Sequence, residues 1–278
     1  MKVITISRSY GSAGSLFGRK LAERLGYKYV DDRFITRMKT NKEASSVLML
    51  NLEDEKAPNF MDRFSELVNN RSYFLTAITV ALCDLVLRRD IVVVGGGGHL
   101  ILEGYPCKIR LQIYRNLLDR VLDIAQEKGI GQKEAIDLVE KKDKEKKRFI
   151  SYYFDRDLFD PSAFDIIFNA SSVPIEDALD MVEVYSNRYF EKVDMEDARI
   201  FAAKKLLENR AQLAVFHLDL ARKGRIVFEA RDEGVLEVKG IIGGTEQKER
   251  LLKALRSMRG VNKVIDQLKV GILSRQIY

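Results

Sequence analysis

Gly11-Ser12-Ala13-Gly14 follows a short apolar run, Val3-Ile4-Thr5-Ile6, and precedes a helical pattern in which Leu16, Phe17, Leu21, Ala22 and Leu25 share one face. A glycine turn between a strand and a helix aims backbone N–H groups and the positive end of the helix dipole at one spot, which attracts phosphate. Many strand–helix turns carry glycine, so this turn alone is a weak signal of phosphate binding. A second cluster, Gly95-Gly96-Gly97-Gly98, ends the β-branched run Ile91-Val92-Val93-Val94, and Asp31 ends the run Tyr27 to Val30. A carboxylate in that place suits contact with a nucleotide or a metal-bound water, and equally suits capping the next helix.

These groups can act together only if the fold brings them to one edge. Five short apolar runs are separated by helical patterns: Val3–Ile6, Tyr27–Val30, Ile91–Val94, Ile109–Tyr114 and Asp165–Asn169. That alternation predicts an α/β fold with a parallel sheet and helices on both faces, in which ligands bind at the carboxyl ends of the strands. Both glycine clusters and Asp31 fall at those ends. Helices are expected at Leu16–Leu25 with a stop at Gly26, and at Tyr73–Leu87, Leu117–Lys128, Lys133–Glu140 and Ile175–Phe190. Residues 40–65 are polar and irregular and read as an insertion near a substrate pocket, and residues 141–148 read as a charged stretch after a helix. After residue 194 the pattern changes to a long helix (Asp197 to about Lys223), two alternating strands (Arg225–Arg231 and Val235–Ile241), a helix (Glu246–Met258) and a last strand (Asn262–Val270). This αββαβ order predicts a second, small α+β domain at 195–278 beside a first domain at 1–194.

Composition narrows the classes. Of 278 residues, 46% are hydrophobic and 32% charged, the balance of a folded globular chain. Two cysteines and two histidines are too few for a disulfide scaffold or a multi-histidine metal site, so no metal centre built by the protein itself is expected. No secretory signal is visible and the most apolar stretch, Tyr73 to Leu87, is too short to span a bilayer, which points to the cytoplasm. The net charge of +6 sits wholly in residues 195–278, which hold 17 basic and 11 acidic residues. That excess fits an anionic partner for the C-terminal part, and it also serves solubility. No basic stripe interleaved with aromatics is present, so no nucleic-acid partner is expected.

The residues Ile4 to Asp31 align without a gap on the start of a cytidylate kinase, including Leu21-Ala22-x-x-Leu25-Gly26 and Tyr29-x-Asp31. Ser7-Arg8-Ser9-Tyr10-Gly11-Ser12-Ala13-Gly14 resembles the Ser-Arg-x-Tyr-Gly-Ser-Gly-Gly of the divergent cytidylate kinase-like family, and the resemblance continues through Val94-Gly95, Asp143-Lys144-Glu145, Asp160-Pro161, Phe164-Asp165 and Phe168-Asn169. It covers about the first 190 residues and implies a phosphate-loop kinase fold with a five-stranded parallel sheet. The loop departs from an active one. Gly14 stands where a phosphate loop has its lysine, Leu16 where it has the hydroxyl for Mg²⁺, Ser15-Leu16 where the divergent family has Arg-Glu, and Gly96 where it has arginine. An uncharged loop can still cradle an anion, but losing a transition-state contact commonly lowers turnover by about a hundredfold or more.

The resemblance implies an ATP- and Mg²⁺-dependent nucleoside monophosphate kinase acting on a cytidylate-like nucleotide, the alternative being a catalytically degenerate nucleotide-binding or regulatory protein. ATP would lie over Gly11, Ser12, Ala13, Gly14 and Ser15, and the acceptor near Arg37 and Gly95, Gly96 and Gly97. Arg8, with Lys144 and Arg148 of a lid at 141–156, would stand in for the lost lysine. Lys147 and Arg156 would belong to the same lid, and Arg115 and Arg120 would reach phosphate from the helix after the fourth strand. The C-terminal part resembles the BON domain, through Gly240, Gly260-Val261 and Val264-x-x-x-Leu268-x-Val270. That resemblance implies binding to an anionic lipid surface or a partner, and so a cytoplasmic protein associated with a membrane surface; the structural alternative is a docking or dimerisation module.

Overall fold

The computed structural model describes residues 1–31, 71–218, 220 and 225–271. Arg37 and the irregular 40–65 segment lie outside them. The first sheet runs β1 Val3–Arg8, β2 Lys28–Val30, β3 Ile91–Val94, β4 Lys108–Tyr114 and β5 Ile166–Asn169, all parallel, in the order β2-β3-β1-β4-β5. This is the five-stranded parallel sheet with flanking helices that the apolar runs predict. β1 lies at its centre, with Val3 opposite both Ile91 and Lys108. Its Val3, Ile4 and Ile6 are fully or almost fully buried, as are all four residues of β3, because helices cover both faces.

The helices are α1 Gly14–Leu25, α2 Arg71–Val86, α3 Gly98–Ile101, α4 Leu117–Lys128, α5 Gln132–Phe154, α6 Ile175–Phe190, α7 Met195–His217 and α8 Thr245–Arg256. α1 buries Phe17, Gly18, Leu21 and Ala22 and stops at Gly26, whose backbone is left-handed. The short α3 after the second glycine cluster was not anticipated. The larger difference is α5, which continues without a break through the charged stretch at 141–148. The stretch has no glycine or proline to break it, and Lys142–Glu145 at 2.9 Å and Lys144–Glu140 at 3.6 Å are helical ion pairs. Phe149, Ile150 and Tyr153 are buried and anchor its last turns.

β6 Arg225–Ala230, β7 Val235–Ile242 and β8 Lys263–Val270 form a second sheet, in which β6 and β7 are an antiparallel hairpin and β8 runs parallel to β7. With α7 and α8 this is the expected αββαβ order. α7 ends at His217, short of the expected Lys223, and serves two cores. Its Ala198, Ala202, Leu206 and Leu213 enter the main core, while Leu207, Ala211 and Val215 enter the core under the second sheet. Each buried leucine contributes roughly 2 kcal/mol. Along the α2 contact, Arg210 donates to Asp84 at 3.0 Å, and the Tyr73 and Phe216 rings meet edge-on at 5.5 Å.

Gly240 in β7 holds φ at 131°, and a Cβ there would lie 1.9 Å from the Arg225 carbonyl oxygen across the hairpin. The hairpin closes only because no side chain intervenes. Gly260 before β8 has φ 92° and faces Leu207. Gly240→Ala is expected to destabilise the protein by about 3 kcal/mol or more, by strain and by prising the hairpin apart. Urea unfolding followed by circular dichroism checks this, and a change within error of zero would refute it.

Candidate functional site

The connections from β1 and β4 leave in opposite directions along the sheet, toward β2 and β5 respectively, so a crevice opens between their carboxyl ends. The first glycine loop lies there. Ser9 donates its N–H to the Ile113 carbonyl, extending the β1–β4 pairing by one bond. Ser12 is buried, and its hydroxyl contacts the carbonyls of Ser9 (3.0 Å) and Ile113 (3.3 Å), so it braces the loop against β4. Ala13 is the N-cap of α1 in a left-handed conformation, with no side-chain cap bond. The first N–H groups of α1 therefore face out of the helix end with no capping side chain, as an anion site requires. At Gly14 a Cβ would lie 2.6 Å from the Arg8 Cβ, so glycine lets the Arg8 stem cross the helix start. The Arg8 Nε then donates to the Ser15 hydroxyl at 3.4 Å.

The antiparallel pair α4–α5 closes over this loop. It has a small core of its own, Val121, Ile124, Ala135 and Val139, against which Tyr10 packs. Asp143 accepts the Tyr10 backbone N–H at 2.8 Å through Oδ1 and an Arg120 guanidinium N–H at 2.6 Å through Oδ2. Arg120 is buried and donates also to the carbonyls of Tyr10 and Arg115, each at 2.9 Å. Lys146 donates to the Arg8 carbonyl at 3.2 Å and lies 5.9 Å from the Tyr10 ring centroid. Gly11 sits beneath, its α-carbon open toward Ile124 and Arg120.

Of the residues singled out from the sequence, Arg8, Gly11, Ser12, Ala13, Gly14, Ser15 and Arg120 are therefore brought together. Arg115 is adjacent but ion-paired with Asp123, its buried Nε without a hydrogen-bond partner. Lys144 and Arg148 lie on the solvent side of α5, with Lys144 70% exposed and paired to Glu140. Arg156 is at the far end of α5, 3.9 Å from Glu103. Asp31 follows β2, the edge strand beyond β3. Burial raises the Tyr29 hydroxyl pKa, Asp31 raises it further, and Arg19 and Arg8 pull it back, so these charges surround one ring.

Asp143 and Lys146 are not among the site residues expected from the sequence, although Asp143 opens the family-like Asp143-Lys144-Glu145, and a further signal lies in the helix phase. Positions 135, 139, 143, 146, 150 and 153 step by three and four, which places them on one helical face once α5 is read as continuous.

At the second glycine cluster, Gly95, Gly96 and Gly97 have φ of 81°, 58° and 73°. Three successive left-handed residues demand glycine, and an arginine at the middle position would be strained by about 1–2 kcal/mol. A Cβ on Gly97 would lie 2.4 Å from the Phe154 ring, so the end of α5 rests on this cluster as its middle rests on the first. His99 is buried, its ring 4.9 Å from that of Phe164, and burial with the positive charges of Lys108 and Arg110 pushes its pKa down to about 4. Lys108, itself held down to about 8 mainly by burial, donates to the carbonyls of His99 and Leu102 and caps α3. His99 is thus a neutral packing residue.

The donor set of the loop, amide groups with Arg8 and Lys146 nearby, fits phosphate oxygens. Among the described residues no group of three or more His, Cys, Asp or Glu side chains is placed to hold a metal ion. A Mg²⁺ ion would fit only as one carried by phosphate oxygens and water, with Asp31 the carboxylate that follows β2.

A parallel α/β sheet with an uncapped glycine loop between its central strand and first helix defines a phosphate-loop protein. A profile of the cytidylate kinase-like family matches residues 3–172, and the chain belongs to that family. It is 28% identical over 187 residues to a cytidylate kinase of Sulfurisphaera tokodaii, an alignment covering 66% of this chain and 95% of that one. Its fold is like that of an uncharacterized protein from Eubacterium ventriosum, with a TM-score of 0.50 at 19% identity, covering 67% of this chain and 99% of the other. The family match ends before α6, so α7 and the second sheet lie beyond it.

His99 has a consequence for stability. Its unfolded pKa of 6.5 exceeds its folded value of about 4, so the unfolded chain binds more protons between those pH values. Stability should be fully present above pH 6.5 and fall as pH drops toward 4, His99 accounting for about 3 kcal/mol of the loss. Urea unfolding of His99→Gln across this window should show a flatter profile than the wild type, and superimposable profiles would refute the assignment.

Proposed function

We propose that the protein is a phosphotransferase of nucleoside monophosphate kinase type, with ATP over the Gly11–Ser15 loop and a cytidylate-like acceptor toward Gly95–Gly97. The observation that carries the reading is the meeting of an uncapped helix N-terminus with Arg8, Arg120 and Lys146 at the mouth of one crevice. Lys146 supplies from the lid the positive charge that Gly14 cannot supply from the loop. Arg8, crossing the start of α1, is the second cation within reach. Mg²⁺, bound with ATP, would neutralise β- and γ-phosphate oxygens, and the chain's own part is to position the phosphates and stabilise the transferring charge. Arg37 lies outside the described residues, and Lys144, Arg148 and Arg156 enter this reading only if nucleotide draws them inward.

A second reading, a nucleotide-binding or regulatory protein without rapid turnover, is favoured by one feature. The loop offers no lysine, Leu16 occupies the hydroxyl position, Ser12 is turned to the backbone and the Ser15 hydroxyl accepts from Arg8. A coupled assay with ATP–Mg²⁺ and each nucleoside monophosphate separates the two. Turnover is expected, with kcat/KM falling about a hundredfold in Arg8→Ala and Lys146→Ala. Nucleotide-induced thermal shifts without turnover would favour the second reading, and neither shift nor turnover would sink both.

For residues 195–278 we propose a BON-like module at a domain boundary near 194, which brings a cytoplasmic protein to an anionic lipid surface or an acidic partner. Its αββαβ order, the Gly240 hairpin and the basic excess support this. Among the described residues no helix is long and apolar enough to cross a membrane, so such contact would be peripheral. The full chain should sediment with anionic vesicles at low salt and be released by added salt. Equal recovery with neutral vesicles, or none with either, would overturn it.

A further inference from the structure

Asp143 is a negative charge seated where an anion is wanted. Its Oδ1 accepts the N–H of Tyr10, inside the loop that precedes the uncapped helix, and its Oδ2 accepts from Arg120. Both carboxylate oxygens are therefore committed to donors of the kind a phosphate uses, one backbone amide and one guanidinium. Lys146, one helical turn further along α5, is turned to the Arg8 carbonyl and the Tyr10 ring. Every polar bond described between α4–α5 and the loop thus runs to the backbone of Arg8 or Tyr10.

We infer that Asp143 is an internal competitor for the loop's phosphate site, latching α5 onto Tyr10 until an incoming phosphate takes over the Tyr10 amide and Arg120. This rests on reading the loop as a phosphate site and goes beyond it. A phosphate placed beside Asp143 in its present position would meet a like charge within a half-buried crevice, where water screens poorly. Binding therefore requires Asp143 to give up its Tyr10 bond. Rotation of the Asp143 side chain away from Tyr10 frees one donor on the loop and one on α4, and leaves α5 with Lys146 in place. The loop's donors are held by an anion of the chain's own, and their release is coupled to ligand entry by exchange of one anion for another.

The test is calorimetric titration of the full chain with inorganic pyrophosphate at low salt, comparing wild type with Asp143→Asn. The asparagine carbonyl can still accept the Tyr10 N–H, so the loop is kept while the charge is removed. Pyrophosphate is expected to bind Asp143→Asn about tenfold or more tightly than wild type, the direction set by removing a like charge. In wild type the Tyr10 amide resonance should move on saturation with pyrophosphate, because its acceptor changes. Equal or weaker binding by a stably folded Asp143→Asn overturns the latch and leaves the phosphate site standing. Binding to neither protein overturns both. Should the variant not fold, the wild-type Tyr10 resonance decides alone, a shift supporting the exchange and an unmoved signal at saturation refuting it.

Discussion

β1 is hydrogen-bonded along both edges and covered on both faces, and nearly everything at the site follows from that. A strand so enclosed can release its chain only at its end, between the ends of β3 and β4. The backbone must turn there at once, because α1 has to fold back onto the sheet, where Gly18 would bring a Cβ to 2.4 Å from Val94. A tight turn under a packed helix leaves amide groups with no intrahelical partner. The outward-facing amides are thus a by-product of burying the central strand, kept although no lysine stands in the loop. This is why the loop can lose its charged side chains and keep its shape.

What the loop lacks in charge, α4 and α5 supply from outside. Arg120 and Lys146 lie on helices that share a small core, so their positions are set together, whereas a lysine inside the loop would be fixed to the strand.

Much of this architecture was legible in the residues. The apolar runs at 91–94 and 109–114 and the helices at 117–128 and 175–190 stand out because glycine or charge ends each of them cleanly. The sequence pattern ends α5 at residue 140 because two of the inward positions beyond it, Asp143 and Lys146, are polar. Their partners are a backbone amide and a carbonyl, which no sequence pattern displays. For the same reason Lys144, Lys146 and Arg148 are equivalent in the sequence, and only the phase of the helix separates them. The role of α7 was hidden differently: a helix apolar on two sides shows no single stripe, and so reads as a connector rather than a shared wall.

That shared wall changes what the C-terminal unit means for the rest. With Leu206 in one core and Leu207 in the other, α7 cannot separate from both α2 and the second sheet without uncovering two apolar faces. A helix so placed ties the stability of each core to the presence of the other.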